Sequence, residues 1–428
     1  HYVKPKSALD NEAYKRGNST YFPDRVVPML PEALSNELCS LKPHVNRACM
    51  AVHLWLDKKG ELTKWKFERA VIKSHARLTY EQAQRAMDGQ PDKTTASLLD
   101  TVIKPLYRAY ACLIAARLER GTLELELPER KVVINEDGTV KAIEMRERLD
   151  SHKLIEEFMI CANVAAAAQL EGKGGLCLYR VHDKPSEIKL DALRDFLDSI
   201  GIKLVPFKQL HPRMLTHILE NAAGGEHAQV INEVMLRSQS QAVYSHENIG
   251  HFGLALAKYA HFTSPIRRYA DLVVHRGLIR SLALGNDGLT DDEIKKLDKI
   301  ADHISGTERR SVTAERDVVD RFTTLFMLDK VGAVFPARIS GVARFGLFAR
   351  LNETGADGII PFNALPRDYY EYNEKRQAMV GQRHGRVYQL GSKINVRLEQ
   401  ADKLTGSMGF AIVDETDTKT PRNKKKPK

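Results

Sequence analysis

The chain has 428 residues, of which 43% are hydrophobic and 28% charged, a globular composition that excludes a wholly disordered or collagen-like chain. Its length predicts two or three domains. No apolar stretch approaches the roughly 18 residues of a membrane span, and we expect no secretory signal. The five cysteines are scattered without a CxxC pair, which excludes a disulfide scaffold and a cysteine zinc site and favours a reducing cytoplasm.

The charge balance favours a polyanionic partner. Lysine and arginine number 65 against 55 aspartate and glutamate residues, a net charge of +10, and nucleic acid is the first candidate for such a surface. A cytosolic protein that is merely basic is the alternative. Six of the last ten residues are lysine or arginine, so residues 414–428 are predicted to be a disordered basic tail that serves as a non-specific RNA or DNA arm.

The first 330 residues mix helices with antiparallel hairpins. Apolar residues alternate on either side of Asp57–Gly60, which predicts a β-hairpin, and a second hairpin turns at Asp137–Gly138. A helix is expected over Ser151–Glu171, a short strand over Cys177–Val181, and further helices up to about Lys330.

The sequence pattern changes after residue 330 to one that predicts short strands, and we place a domain boundary there. Five or six strands separated by glycine within about 80 residues are typical of a small closed barrel of the OB type. They are predicted at Val334–Ile339, Gly346–Leu351, Gly358–Ile360, Arg386–Tyr388, Lys393–Leu398 and Met408–Ile412. The fold class is therefore α+β, with residues 1–330 as one domain, 331–413 as an all-β barrel and 414–428 as the tail.

Residues 261–276 form the most distinctive segment. Ser264 and Pro265 predict a helix start, because serine caps free amides and proline fits the first helical position. Arg267, Asp271 and His275 would then lie in one polar row. Two arginines at a helix N-terminus are suited to binding a phosphate. A solvated face with an arginine–aspartate pair is the alternative.

This segment resembles the signature of the RNB catalytic domain of the ribonuclease II and ribonuclease R exonucleases. The resemblance continues through residues 21–31, 38–41, 154–159 and 180–185. Around Tyr21 and His182 the sequence is more similar to ribonuclease R than to ribonuclease II. The last 100 residues are similar to the S-one type RNA-binding barrel that follows this domain. The chain starts at His1, in what reads as the middle of a strand, so we expect a piece of a longer protein.

The resemblance implies processive 3′→5′ hydrolysis of single-stranded RNA with a free 3′ end to nucleoside monophosphates, by a monomeric cytoplasmic enzyme. Arg267 matches the arginine at the scissile phosphate, and Glu315 matches a carboxylate near the 3′ end. Tyr21 matches an aromatic residue beside the last nucleotides. Arg268 and Arg276 are expected to line the same basic surface around the scissile phosphate.

Two further sets of residues are candidates for RNA contacts. Glu156 and Asn163 share a helix face and could read the ribose 2′-hydroxyl, or they could form a capped, solvated stripe. In the barrel, Phe345 and Phe348 could stack on bases beside the charge of Arg344, although alternation predicts that one of the two phenylalanines is core.

The resemblance also implies magnesium at the base of the channel. The family's ions are held by clustered aspartates, which lie just upstream of the position matched by His1. No equivalent cluster occurs in this sequence, so no metal ligand is assigned, and the chain alone is expected to be inactive. A non-catalytic module that binds single-stranded RNA is the alternative function.

Overall fold

A computed structural model describes residues 2–125, 129–174, 176–206, 209–225, 227–374 and 376–413. Its helices, in chain order, are α1 (Ala8–Arg16), α2 (Tyr80–Met87), α3 (Lys93–Ala96), α4 (Lys104–Arg120), α5 (Asp150–Gly172), α6 (Glu187–Ser199), α7 (Pro212–Ala222), α8 (Ala228–Ser238), α9 (Tyr269–Ser281), α10 (Asp291–Lys295) and α11 (Leu297–Met327). π-Helical segments span Ala33–Leu38 and Leu99–Ile103, and 3₁₀ turns span Phe252–Leu254, Leu328–Lys330 and Phe362–Ala364.

The strands of the first part form four antiparallel pairs. They are β1 (Thr20–Tyr21), β2 (Val26–Val27), β3 (Asn46–Leu56), β4 (Leu62–Lys73), β5 (Arg130–Ile134), β6 (Val140–Met145), β7 (Tyr179–Val181) and β8 (Val243–Ser245). The pairs are β1 with β2, β3 with β4, β5 with β6 and β7 with β8. The two hairpins predicted at residues 57–60 and 137–138 are thus confirmed as β3–β4 and β5–β6.

The last part is a closed barrel with an added sheet. Its strands are β9 (Val334–Ala343), β10 (Gly346–Leu351), β11 (Asp357–Pro361), β12 (Tyr370–Asn373), β13 (Ala378–Gly381), β14 (Val387–Gln389), β15 (Lys393–Asp402) and β16 (Ser407–Ile412). The barrel order is β10-β11-β16-β15-β9. The strand predicted near residues 386–388 is β14, which pairs with β13 outside the barrel.

Three apolar cores hold these elements together. The first lies around α5 and α9, where Ala165, Ala166 and Ala167 are fully buried and allow the helices to approach closely. The second fills the barrel, and the third lies among α6, α7 and α8. The α+β class with an OB-type barrel is confirmed. The boundary near Lys330 falls between the end of α11 at Met327 and the start of β9 at Val334.

The helix over residues 151–171 is confirmed as α5, but the helix start predicted at Ser264 is wrong. Helix α9 begins at Tyr269 with Arg268 as its N-cap. Residues 264–267 instead form a turn, in which the amides of Arg267 and Arg268 donate to the Ser264 carbonyl at 3.2 and 3.1 Å. The carboxylate of Asp271 accepts the Ser264 amide at 2.6 Å and so ties this turn to the helix.

Candidate functional site

A polar pocket of about 220 Å³ lies where α11 meets the start of α9 and the β1–β2 hairpin. We call it the Arg267 pocket. Its lining combines two arginines with two tyrosines and two glutamates. The residues are Gly17, Asn18, Ser19, Tyr21, Tyr244, Arg267, Arg268, Ala270, Ile304, Glu308, Ser311, Val312 and Glu315.

Backbone pairing brings distant segments together in this pocket. The Ser19 amide donates to the Arg267 carbonyl at 3.0 Å, and the Tyr269 amide donates to the Gly17 carbonyl at 2.8 Å. Gly17 has a φ of +73°, and a β-carbon there would overlap the side chain of Thr307 on α11. Glycine is therefore required where the hairpin, α9 and α11 converge.

The two arginines differ in their availability to a ligand. Arg268 is bound by Asp271, with Nε to Oδ2 at 2.7 Å and Nη2 to Oδ1 at 2.9 Å. Burial opposes the charge of Arg268, but Asp271 outweighs burial and raises the pKa of the guanidinium. Arg267 is exposed and forms no ion pair within the described part of the chain. It is thus the arginine that can hold a phosphate bidentately.

An aromatic residue and a carboxylate form the opposite wall. The Tyr21 amide donates to Glu315 Oε1 at 2.6 Å, and the Tyr21 side chain is 46% exposed. A hydroxyl pair, Thr20 Oγ1 and Ser311 Oγ at 2.9 Å, ties the same hairpin to α11. The structure therefore brings together Arg267, Arg268, Tyr21 and Glu315, which are far apart in sequence.

Sequence reasoning missed part of this pocket. Glu308 accepts both terminal nitrogens of Arg180, at 2.6 and 3.0 Å, and this guanidinium lies 4.8 Å above the Tyr244 ring. The spacing of Glu308 and Glu315, seven residues apart on α11, was the signal that could have found Glu308. No local pattern marks Tyr244, because β8 reaches the pocket only through tertiary packing.

The prediction that Arg276 lines the basic surface around the scissile phosphate is wrong. It is 3% exposed and donates to Asp10 Oδ1 at 2.7 Å, to Glu293 Oε1 at 2.7 Å and to the Val3 carbonyl at 3.0 Å. Its side chain projects from α9 toward α1, which carries Asp10, and α10, which carries Glu293. We call this set the Arg276 cluster.

The prediction that Asn163 reads a ribose hydroxyl is also wrong. Asn163 is 1% exposed. Its side-chain Nδ2 donates to the Tyr259 hydroxyl at 3.0 Å, and its Oδ1 accepts the backbone amide of Phe262 at 2.8 Å. It therefore supports the segment that leads to Arg267. Glu156 lies outside the Arg267 pocket and pairs with Arg117 at 3.3 Å and with Arg148.

Asp271 and His275 position other groups of the site. Asp271 is fully buried and holds Arg268 in place. His275 Nε2 lies 2.8 Å from the Phe262 carbonyl, and its ring stacks on Phe262 at 4.5 Å. Neither side chain lines the pocket, so both position other groups.

The barrel presents both of its candidate phenylalanines to solvent. Phe345 is 60% and Phe348 39% exposed, with ring centroids 6.0 Å apart. The expectation that one is core is wrong, because Phe345 lies with Arg344 in the β9–β10 turn, where strand alternation does not apply. Arg344 is exposed beside them, so an aromatic and basic surface is present. The predicted tail, residues 414–428, lies outside the described residues.

Comparison with known proteins places these features in a family. Residues 1–283 match the RNB domain, and residues 328–412 match the S1 RNA binding domain. The chain belongs to the RNB family. The resemblance found in the sequence is thereby confirmed, and the Arg267 pocket falls within the RNB domain except for the wall formed by α11.

Several relatives of this RNB protein are ribonucleases R. That of Escherichia coli is 40% identical, over 99% of this chain and 53% of the relative. That of Vibrio parahaemolyticus is 39% identical, over 97% and 51%. The chain thus spans about half the length of these curated relatives. A solved structure of Mycoplasma genitalium RNase R with ribose methylated single-stranded RNA superposes with a TM-score of 0.92 and 30% identity, over 96% of this chain and 65% of that one.

Nucleases of the RNB family depend in general on divalent metal ions. Among the described residues, no group of three or more histidine, cysteine, aspartate or glutamate side chains could hold a metal. Glu308 is bound by Arg180, Glu315 by the Tyr21 amide and Asp271 by Arg268. These residues do not fit a magnesium ion.

Two further observations concern the helices and the cysteines of this RNB protein. No helix in the described part of the chain is long and apolar enough to cross a membrane. All five cysteines are free thiols.

Four histidines with lowered pKa values predict a loss of stability in acid. Burial lowers the pKa of His182, His261 and His275 and lowers that of His251 to about 3. An unfolded histidine titrates near 6.5, so the unfolded state binds the extra protons as pH falls below that value. We expect the free energy of unfolding to fall between pH 6.5 and 5 by up to about 1.4 kcal/mol per pH unit for each histidine.

Urea denaturation at pH 7.5, 6.5 and 5.5 measures this effect. His251→Gln is expected to reduce the slope by about one proton. The matched control is His75→Gln, since His75 is exposed and forms no ion pair within the described residues, and its slope is expected to equal that of the wild type. Equal stability of the wild type at pH 7.5 and 5.5 would contradict the prediction.

Proposed function

We propose that the protein is a 3′→5′ exoribonuclease that hydrolyses single-stranded RNA to nucleoside 5′-monophosphates. One observation carries the proposal: in the RNB domain an exposed arginine, Arg267, lines one pocket with Tyr21 of the same domain and with Glu315 of α11. The structures of Mycoplasma genitalium RNase R in complex with single-stranded and with double-stranded RNA support RNA as the substrate.

Each residue of the Arg267 pocket has a task in this proposal. The guanidinium of Arg267 holds the scissile phosphate, whose negative charge grows during hydrolysis. Arg268 adds positive charge, although Asp271 fixes its position. Tyr21 stacks on a base near the 3′ end, and Glu315 orients the hairpin that carries Tyr21 while its second oxygen can accept a ribose hydroxyl.

The remaining parts of the proposal concern the natural protein that contains this chain. Hydrolysis there uses Mg²⁺, for which the described residues supply no ligand set. The substrate is single-stranded RNA with a free 3′ end. The barrel, proposed as a separate domain over residues 331–413, binds the strand on the surface of Phe345, Phe348 and Arg344. The enzyme works as a monomer in the cytoplasm.

Digestion of a 5′-labelled single-stranded RNA by the natural protein, with Mg²⁺ added, tests the function. The proposal predicts release of nucleoside 5′-monophosphates and shortening from the 3′ end. A substrate blocked by a 3′-phosphate and a circular RNA of equal length serve as controls. Internal cleavage would contradict the proposal, and tight binding without cleavage would favour a non-catalytic RNA-binding module.

The barrel surface gives a further prediction. Phe345→Ala is expected to weaken RNA binding by roughly 1–3 kcal/mol, because it removes base stacking, and to leave the salt dependence of binding unchanged. Arg344→Ala is expected instead to reduce the slope of log affinity against log salt by about 0.7, as one phosphate contact is lost. Fluorescence anisotropy at several salt concentrations measures both effects. Identical salt slopes for the two variants would count against these assignments.

A further inference from the structure

Tyr244, which lines the Arg267 pocket, belongs to a small sheet of three segments. Strand β7 pairs with β8 on one edge, where Arg180 lies opposite Tyr244. On the other edge it pairs with the segment that leads to His261, where the Arg180 amide donates to the Tyr259 carbonyl at 2.8 Å. Side chains of paired residues, and of residues two apart on one strand, lie on the same face of a sheet. Tyr244, Arg180, Tyr259 and His261 therefore share one face.

Contacts on three sides hold Tyr244 in place. Its hydroxyl lies 2.9 Å from Nδ1 of His261, and its backbone amide donates to Ser305 Oγ of α11 at 3.0 Å. The Arg180 guanidinium lies over its ring. The side chain is 6% exposed and still lines the pocket. The position of its hydroxyl is thus fixed before a ligand enters.

Tyr244 and His261 form a pair without charge, which we call the Tyr244–His261 pair. Burial raises the pKa of the Tyr244 hydroxyl, so this hydroxyl keeps its proton. Burial and the positive charges of Arg268 and Arg180 lower the pKa of His261 well below its ordinary value, so its ring carries a single N–H. The pair therefore has one O–H and one N–H to donate.

The ligand decides how these two protons are arranged. A neutral histidine carries its proton on either ring nitrogen, and within the described residues Nδ1 of His261 bonds Tyr244 while Nε2 has no hydrogen bond. With the proton on Nδ1, this N–H donates to the Tyr244 oxygen and the hydroxyl proton is free for a ligand. With the proton on Nε2, the hydroxyl donates to Nδ1 and presents lone pairs, which repel an anion. Arg267 and Arg268 line the pocket, so a phosphate is the expected occupant and favours the first arrangement.

We propose that Tyr244 is a further catalytic residue, whose hydroxyl donates a hydrogen bond to a non-bridging oxygen of the scissile phosphate. His261 is a positioning residue that acts through Tyr244, because its Nδ1–H donates to the phenolic oxygen and directs the hydroxyl proton into the pocket. The negative charge of the phosphate grows during hydrolysis, so a fixed donor stabilises the transition state more than the bound substrate. This inference rests on the proposed function.

Single-turnover hydrolysis of single-stranded RNA by the natural protein that contains this chain, with Mg²⁺ added, tests the inference beside equilibrium binding. Tyr244→Phe removes only the hydroxyl and is expected to slow hydrolysis roughly 10²-fold, with RNA affinity changed by less than about twofold. The matched control is Tyr179→Phe, which removes the hydroxyl of a buried β7 tyrosine, 3.4 Å from Glu171 Oε1 and outside the pocket. Its rate is expected to equal that of the wild type.

Variants of His261 test whether it acts through Tyr244. His261→Asn can place an amide N–H at the position of Nδ1 and is expected to keep most of the rate. His261→Leu has no donor and is expected to lose about as much rate as Tyr244→Phe. The double variant Tyr244→Phe/His261→Leu is expected to be no slower than either single variant, because the two residues act as one unit. Additive losses of rate, or equal losses for His261→Asn and His261→Leu, would overturn the positioning role.

Substrates modified at the last linkage identify the atom that Tyr244 contacts. Sulfur in place of one non-bridging oxygen is expected to slow the wild type more than Tyr244→Phe, which has already lost the contact. Equal slowing by both stereoisomers in the two proteins would overturn the phosphate contact. A Tyr244→Phe defect that disappears on RNA ending in a 2′-deoxynucleotide would also overturn it, since the hydroxyl would then contact the ribose.

The rates of the wild type and of Tyr244→Phe separate the inference from the proposed function. If the wild type releases no nucleoside monophosphates, the proposed function fails. If the wild type releases them and Tyr244→Phe matches its rate, the inference alone fails and the assignment of Arg267 is unaffected.

Discussion

Replacing Arg267 with alanine is expected to slow RNA hydrolysis by roughly 10²- to 10³-fold in the natural protein that contains this chain. An arginine at the scissile phosphate acts mainly on charge that develops in the transition state. Affinity for RNA is spread over many phosphate contacts and is expected to fall only slightly. Single-turnover hydrolysis and equilibrium binding, measured on the same preparation, provide the comparison.

Two further variants serve as comparisons for Arg267→Ala. Arg267→Lys keeps the charge but loses the bidentate geometry, so its rate is expected to lie between those of the wild type and Arg267→Ala. Arg77→Ala removes an exposed arginine that does not line the pocket and is expected to leave the rate unchanged. Equal losses of rate and affinity in Arg267→Ala would mean that Arg267 is an ordinary phosphate contact.

Arg276→Met is expected to destabilise the fold by about 3–5 kcal/mol, because it leaves Asp10 and Glu293 as buried carboxylates without their cation. Both carboxylates lie 2.7 Å from the guanidinium, and Arg276 is 3% exposed. Denaturant unfolding measures the loss. Adding Asp10→Asn to the variant removes one unpaired charge and is expected to recover part of the stability.

The Arg276 cluster has its own control and contrary outcome. Lys296→Ala breaks an exposed pair with Asp292 at 3.0 Å, and its unfolding curve is expected to match that of the wild type. At temperatures where Arg276→Met remains folded, its RNA affinity is expected to be unchanged. A stable variant with weakened RNA binding would instead place Arg276 on the RNA-binding surface.

Local patterns predicted the elements whose form is set by neighbouring residues. The turn at Asp57–Gly60 and the strand alternation after Val331 each specify a hairpin or a barrel strand within about ten residues, and both were confirmed. The capping box that the structure shows at Thr290 and Glu293 is of the same local kind, since its hydrogen bonds join residues three apart. In such cases the sequence carries the interaction that decides the structure.

Side-chain roles that depend on distant contacts could not be predicted in this way. Ser264 and Pro265 have the chemistry of a helix start, but the Asp271 carboxylate binds the Ser264 amide and delays the helix by four residues. Asn163 and Arg276 lie on suitable helices, yet each faces the interior. Helical spacing gives the relative direction of two side chains and does not say which direction is solvent.

Crosslinking of the RNA 3′ end tests most directly the claim that the Arg267 pocket receives it. A single-stranded RNA with 4-thiouridine at its last position is irradiated with the protein, and the attached peptides are identified by mass spectrometry. The structure predicts attachment to the β1–β2 hairpin around Tyr21 and to α11 around Glu315. It also predicts loss of these crosslinks when an excess of unlabelled RNA competes. Attachment of the last nucleotide to the barrel surface around Phe345, with none at the hairpin or α11, would contradict this account.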